Sequence, residues 1–141
     1  MNSDIILKAS NIIKKETEER NIGFCTLALI DEDGFPTAST ITIAKENGIK
    51  ELMFCTGLSG NKGKRIQNGN KASVCINTNE FNITLVGTIE IMTDTQTKQD
   101  AWYSGMEYHF TGADDPEYCV LKFTTKRYNL FIGGEEVGGK L

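Results

Sequence analysis

Apolar residues recur at helical spacing first near the N-terminus. Ile5, Ile6, Ala9, Ile12 and Ile13 share one side of residues 3–20, with Lys and Glu opposite, which predicts an amphipathic helix packed on the body of the protein. Ser3 is its expected N-cap and residues 21–23 its end. The period then shortens. FCTLALID (24–31), an Asp33-Gly34 turn and PTASTITIA (36–44) predict a β-hairpin, and a turn at residues 46–48 leads into ELMFCT (51–56). Three strands in succession are expected to form an antiparallel meander. A short helix over 61–68, stopped by Gly69, precedes KASVCIN (71–77) and NITLVGTIEIMT (82–93), where Gly87 suggests a bend or bulge. Residues 95–110 read as a helix capped by Asp94 or Thr95, and residues 111–117 as a loop. Two last strands, 118–125 and 127–132, leave a tail, 133–141, with only Val137 and Leu141 to bury and expected to be loose.

The pattern therefore predicts one domain over residues 1–141, mainly β with flanking helices: six or seven short antiparallel strands in a small closed or split barrel. Periodicity alone does not separate a barrel from a sandwich.

Composition narrows the function. A formal net charge of −4 with 24% charged residues argues against a general nucleic-acid binder. No apolar run is long enough for a membrane span, and the charged N-terminus does not read as a signal peptide, so a cytoplasmic protein is expected. Four cysteines, Cys25, Cys55, Cys75 and Cys119, sit singly in apolar runs and are expected to be free, buried thiols. With no Cys-x-x-Cys pair and only His109, neighbouring residues build no metal site. No Ser-His-Asp, Cys-His or paired-carboxylate set stands out. His109 reads as a surface or interface residue, and Trp102 and Tyr103 as core or dimer contacts.

The most informative stretch is CTGLSGNKGKRIQNG, residues 55–69. Gly57, Gly60 and Gly63 let backbone N–H groups approach a ligand, Thr56 and Ser59 offer hydroxyls, and a helix from Asn61 aims its positive end at the loop, beside Lys62, Lys64 and Arg65. A phosphate suits such a loop; a solvated basic turn fits the local features equally well. A nucleotide-triphosphate loop fails, because Leu58 stands where its first glycine belongs and Arg65 where Ser or Thr belongs. The dinucleotide Gly-x-Gly-x-x-Gly fingerprint is missing too.

The ordered set GFPTASTITIA, MFCTGLSGNKGKRIQNGNKASVCI, NITLVGTIEI and YHFTGADDPEYCVLKF resembles the FMN-binding split-barrel superfamily of pyridoxamine 5′-phosphate oxidase, in its general stress protein 26-like branch. The resemblance covers about residues 24–132. It implies FMN, with Cys55-Thr56 and Asn61-Lys62 at the positions of the family's phosphate loop. Thr56 would be the hydroxyl donor, Lys62 the phosphate cation and Asn61 a neutral substitute. It implies too that the backbone of Ser39, Thr40, Ile41 and Thr42, in a run ending at Ile43 and Ala44, borders the isoalloxazine ring. That run lacks the family's basic residues at both ends, Ser39 and Ala44. Asn82, five residues before Gly87, takes the place of a flavin-contacting amide.

The resemblance further implies a homodimer with the cofactor site at the subunit interface, and a small oxidoreductase acting on a small-molecule redox substrate. Alternatives are a non-catalytic flavin-binding or sensing module, or a pocket for a deazaflavin or haem. Oxidation of vitamin B6 itself is not expected, because the tail NLFIGGEEVGGKL lacks the tryptophan and the Arg-x-His pattern of the larger oxidases.

Overall fold

The computed structural model describes residues 3–18 and 23–141, with Asn68 described by its backbone only. Helix α1 (Ser3–Glu18) buries Ile5, Ala9, Ile13 and Thr17, a stripe at four-residue spacing. The Thr17 hydroxyl donates to the Ile13 carbonyl at 2.8 Å. Ser3 is already helical rather than a cap, and the expected end at 21–23 falls mainly outside the described residues.

Strands β1 (Phe24–Ile30) and β2 (Pro36–Thr42) form the expected hairpin. Then come β3 (Lys45–Asn47), β4 (Glu51–Gly57), α2 (Asn61–Asn68), β5 (Lys71–Asn77), β6 (Phe81–Met92), α3 (Thr95–Ala101), β7 (Tyr118–Ile132) and β8 (Glu135–Lys140). All pairings between these strands are antiparallel, and the sheet runs β2-β1-β5-β6-β7-β4-β3, with β8 added to β7. The sheet curls until the end of β2 meets β4, where the Ala44 N–H donates to the Met53 carbonyl at 2.8 Å. The result is the expected split barrel, its seven-strand path extended by an eighth strand.

Four expectations are corrected. The meander fails because β4 pairs with β3 and β7 rather than β2. β4 is apolar on both sides, Leu52 and Phe54 facing the barrel core and Met53 and Cys55 a second cluster, so it is sandwiched inside the sheet. The two last strands are one, continued through a bulge at Lys126: Val86 pairs with Arg127 and Gly87 with Thr125. Gly87 is the expected irregularity, and a Cβ there would lie 1.9 Å from the Thr124 carbonyl oxygen. The tail is not loose; Gly133 and Gly134, both at positive φ, turn it into β8. Finally, the expected helix over 95–110 stops at Ala101 and resumes only as a 3₁₀ turn, Met106–Tyr108, after left-handed Gly105. Asp94 caps α3, its carboxylate accepting from the Thr97 N–H at 3.1 Å.

Candidate functional site

The loop after β4 is shaped by its glycines. A Cβ on Gly63 would stand 2.5 Å from the Leu58 carbonyl oxygen, so only glycine lets α2 seat this closely on the loop. Ile66 anchors the helix in the core. Gly60 occupies the N-cap and offers no side-chain cap, while the Lys64 N–H bonds back to the Gly60 carbonyl at 3.2 Å. The N–H groups of Asn61, Lys62 and Gly63 thus point out of the first turn without intrahelical acceptors. Among the described residues, neither the Thr56 hydroxyl nor the Lys62 ammonium has a hydrogen-bond or ion-pair partner.

Two other expected donors are committed elsewhere. Both the Ser59 N–H and its hydroxyl donate to Glu117 Oε1, at 2.6 and 2.5 Å. Arg65 turns to the β1–β2 hairpin, its Nε 3.7 Å from Glu32.

The β2 run approaches β4 at its end, where Ala44 bonds Met53. Thr40 and Thr42 face outward, whereas Ser39 and Ile41 alternate toward the core, so only their backbone borders the outer surface. Ala44 is buried in the cluster that holds Ala101, Met106 and Tyr118. A lysine or arginine there would bring its charge into that apolar cluster, which gives a physical reason why no basic residue stands at this position. Cys55 is a backbone neighbour of the site only. Its thiol lies 3.6 Å from both the Ala101 carbonyl and the Tyr118 hydroxyl, on the far side of β4 from the core.

From Thr40 the registers run Thr40 to Thr26 and Thr26 to Cys75 along one outward row. The Cys75 thiol donates to Asn82 Oδ1 at 3.3 Å, and Asn82 Nδ2 donates to Thr84 Oγ1 at 3.0 Å. An outward polar row therefore runs from Thr42 and Thr40 through Thr26 and Cys75 to Asn82, over three strand spacings, roughly 14 Å. A depression of about 140 Å³ lined by Phe24, Thr26, Thr40, Cys75 and Asn77 marks its middle. Thr56 shares the core side of β4 with Phe54 and pairs with Cys119, so it lies on the other face of the sheet, at the strand end that leads into the loop.

Sequence reasoning missed two parts of this surface. Glu117 gave no sign of its contact with a loop 58 residues away. The bulge, too, was illegible, although it turns Lys126 and Arg127 both outward to rim, with Lys71, a trough of about 370 Å³ floored by Ala28, Ser73 and Val86. Thr26, Cys75 and Thr84 could have been found from strict alternation along their strands.

Nothing here reads as a nucleophile. Burial pushes the Cys25 thiol up to about 12 and Cys119 up to about 11, with smaller contributions from neighbouring thiols. All four cysteines are free, Cys25 and Cys119 buried and the other two partly so. His109 is exposed beside the 3₁₀ turn, and no cluster of metal-ligating side chains occurs among the described residues.

The sequence matches the family model described as pyridoxamine 5′-phosphate oxidase over residues 13–131. The chain belongs to that family. No curated protein matches it significantly. Among solved structures it is similar to a Clostridium acetobutylicum protein related to general stress protein 26, of the pyridoxinephosphate oxidase family: 25% identity, TM-score 0.81, covering 100% of this chain and 97% of that one. A pyridoxamine 5′-phosphate oxidase-related, FMN binding protein from Nostoc punctiforme shares the fold at 15% identity and TM-score 0.63, covering 99% and 96%. So does a heme binding protein from Mycobacterium smegmatis, at 19% identity and TM-score 0.73, covering 96% of this chain and 57% of that one. Proteins of this fold thus include an FMN-binding and a haem-binding one. No helix among the described residues is long and apolar enough to cross a membrane.

Proposed function

We propose that this member of the pyridoxamine 5′-phosphate oxidase family binds FMN along the outward polar row and works as a small cytoplasmic oxidoreductase. What supports the reading is the loop after β4, where the Thr56 hydroxyl and the Lys62 ammonium have no other partner among the described residues and the first N–H groups of α2 lack intrahelical acceptors, together with the outward row from Thr40 to Asn82. The phosphate goes to that loop; the ring lies along the β2 backbone between Ser39 and Thr42, with Asn82 as its amide contact. Bound there, FMN would supply the hydride or electron transfer. The chain's own residues bind and orient it, and no acid–base pair of side chains is needed.

A second copy of the chain completes the site. The outer face carries three large exposed apolar side chains, Phe24 and Ile30 at the two ends of β1, 51% and 40% exposed, and Phe131 of β7, 41% exposed. Exposed aromatic and aliphatic side chains on one face suit a homodimer interface.

Native purification followed by visible absorbance and titration with FMN tests the reading. A yellow protein, or stoichiometric uptake, supports it; a colourless chain that takes up no FMN sinks it. Sedimentation at micromolar concentration tests the dimer, and a monomer would overturn that part.

A non-catalytic flavin-binding module is the second reading, favoured by the commitment of Ser59 and Arg65 to carboxylates rather than to a ligand. Stoichiometric flavin with no turnover of reduced nicotinamide would select it. Parallel titrations with a deazaflavin and with haem would expose a different cofactor. Vitamin B6 oxidation stays outside the proposal, because the residues after Ile132 build β8 and bring neither tryptophan nor an Arg-x-His pair.

A further inference from the structure

The loop that presents donors to a phosphate already holds an anion belonging to the chain. Glu117 sits just ahead of β7, whose first residue, Tyr118, pairs with Gly57. Its backbone carbonyl accepts from the Leu58 N–H at 2.8 Å, and its Oε1 accepts both the Ser59 N–H and the Ser59 hydroxyl. The same oxygen would lie 3.1 Å from a Cβ at Gly57, the residue after Thr56. Glu117 is itself held in place, its N–H donating to Asp115 Oδ1 at 2.9 Å. Asp115 in turn accepts from the Thr111 N–H, and Lys98 bonds its carbonyl. A carboxylate is thereby fixed two residues before the first turn of α2, where the helix has no side-chain cap and favours negative charge.

Its hydrogen bonds from Ser59, side chain first, hold the Glu117 carboxyl below the usual range, so it is ionised at neutral pH. An ionised carboxylate beside Thr56 repels an incoming phosphate and competes with it for the Ser59 donors. A ligand without phosphate meets neither effect.

On the FMN reading above, we infer that Glu117 is a specificity-determining residue that weakens this chain's preference for phosphate-bearing flavin over riboflavin. Glu117→Gln removes the charge yet keeps an amide oxygen able to accept from Ser59. Glu117→Ser is a second variant that also opens the space.

The experiment is a fluorescence titration of wild type and both variants with FMN, riboflavin and inorganic phosphate, with thermal unfolding as a check on folding. The expected result is about five- to tenfold tighter FMN binding in Glu117→Gln, with riboflavin affinity unchanged within about twofold, the size of one unit charge removed at close range near a protein surface. A purely structural Glu117 would lower the melting temperature and leave the FMN-to-riboflavin ratio alone; that outcome overturns the inference but not the FMN reading. If wild type and both variants bind neither flavin, both fall. Should the chain take riboflavin but FMN only once Glu117 is replaced, the inference stands in its strongest form.

Discussion

One sheet carries two very different outer surfaces. Over β4 and the first half of β7 it is covered: α3 and the segment after it lay Ala101, Met106, Trp102 and Phe110 against Tyr118, which is fully buried. Trp102 meets the Tyr118 ring edge-on at 5.4 Å, the phenol donates to the Lys98 carbonyl at 2.7 Å, and Lys98 lies 5.3 Å from the ring centre while bonding the Asp115 carbonyl. Over β2, β1, β5 and β6 the same sheet is bare, with threonines, a half-buried thiol and exposed aromatics in place of a covering helix. The late helix finishes one surface and leaves the other, which carries the candidate site, uncovered.

If the covered surface is structural, damage there should be large and global. Tyr118→Ala is expected to cost about 3–5 kcal/mol in urea unfolding, from the lost ring contacts and the cavity they leave. Tyr118→Phe should cost about 1 kcal/mol, leaving the Lys98 carbonyl without its donor.

If the bare surface is functional, its damage should show in binding. Lys62→Ala is expected to weaken FMN about tenfold to a hundredfold, the loss of one charge-assisted contact, with the melting temperature hardly moved. Retention of full FMN affinity would remove the phosphate end of the site.

At the join of the two surfaces, Gly87→Ala should cost about 1–3 kcal/mol, because its methyl meets the Thr124 carbonyl oxygen. An unchanged unfolding midpoint would show that the bulge yields easily.

On the bare side again, Phe131→Glu should leave monomer stability within about 0.5 kcal/mol while raising the dimer dissociation constant about tenfold or more in sedimentation. A change confined to stability would place the partner elsewhere.

The smallest effect is expected from acid. Asp94 is held low by its bonds from Thr97, Asp31 by that from Thr37 and then Phe35, and Asp115 by that from the Thr111 N–H. Lowered folded values mean that their stabilisation is complete above the ordinary carboxylate range near pH 4 and is lost as pH falls through it. A pH series should therefore show loosening at these caps and turns only below about pH 4, and none between pH 5 and 7 from these groups.

Local periodicity made most of the elements legible. The β1–β2 hairpin, β5 and α2 stand where alternation, Asp33-Gly34 and the basic loop placed them. Less legible was anything set by a distant partner. β4 looked like the third strand of a meander because an apolar run carries no record of its neighbours, and β7 looked broken at Lys126 because a bulge cannot be told from a break when the facing Gly87 is unseen. Of the candidate site, Thr56, Asn61 and Lys62 follow one another in the chain and were visible together. Glu117, which meets the same loop at Leu58 and Ser59 only through the fold, was not.

Residue order alone fixed the strand-rich class, the free thiols, the glycine-bearing loop and the helix that follows it, because each depends on side chains a few positions apart. Folding decided which strand lies beside which, that Ala44 is buried against the Tyr118 cluster, and that a glutamate occupies the loop's donors. Those outcomes depend on the closure of the curled sheet, which brings together residues that have no local reason to meet.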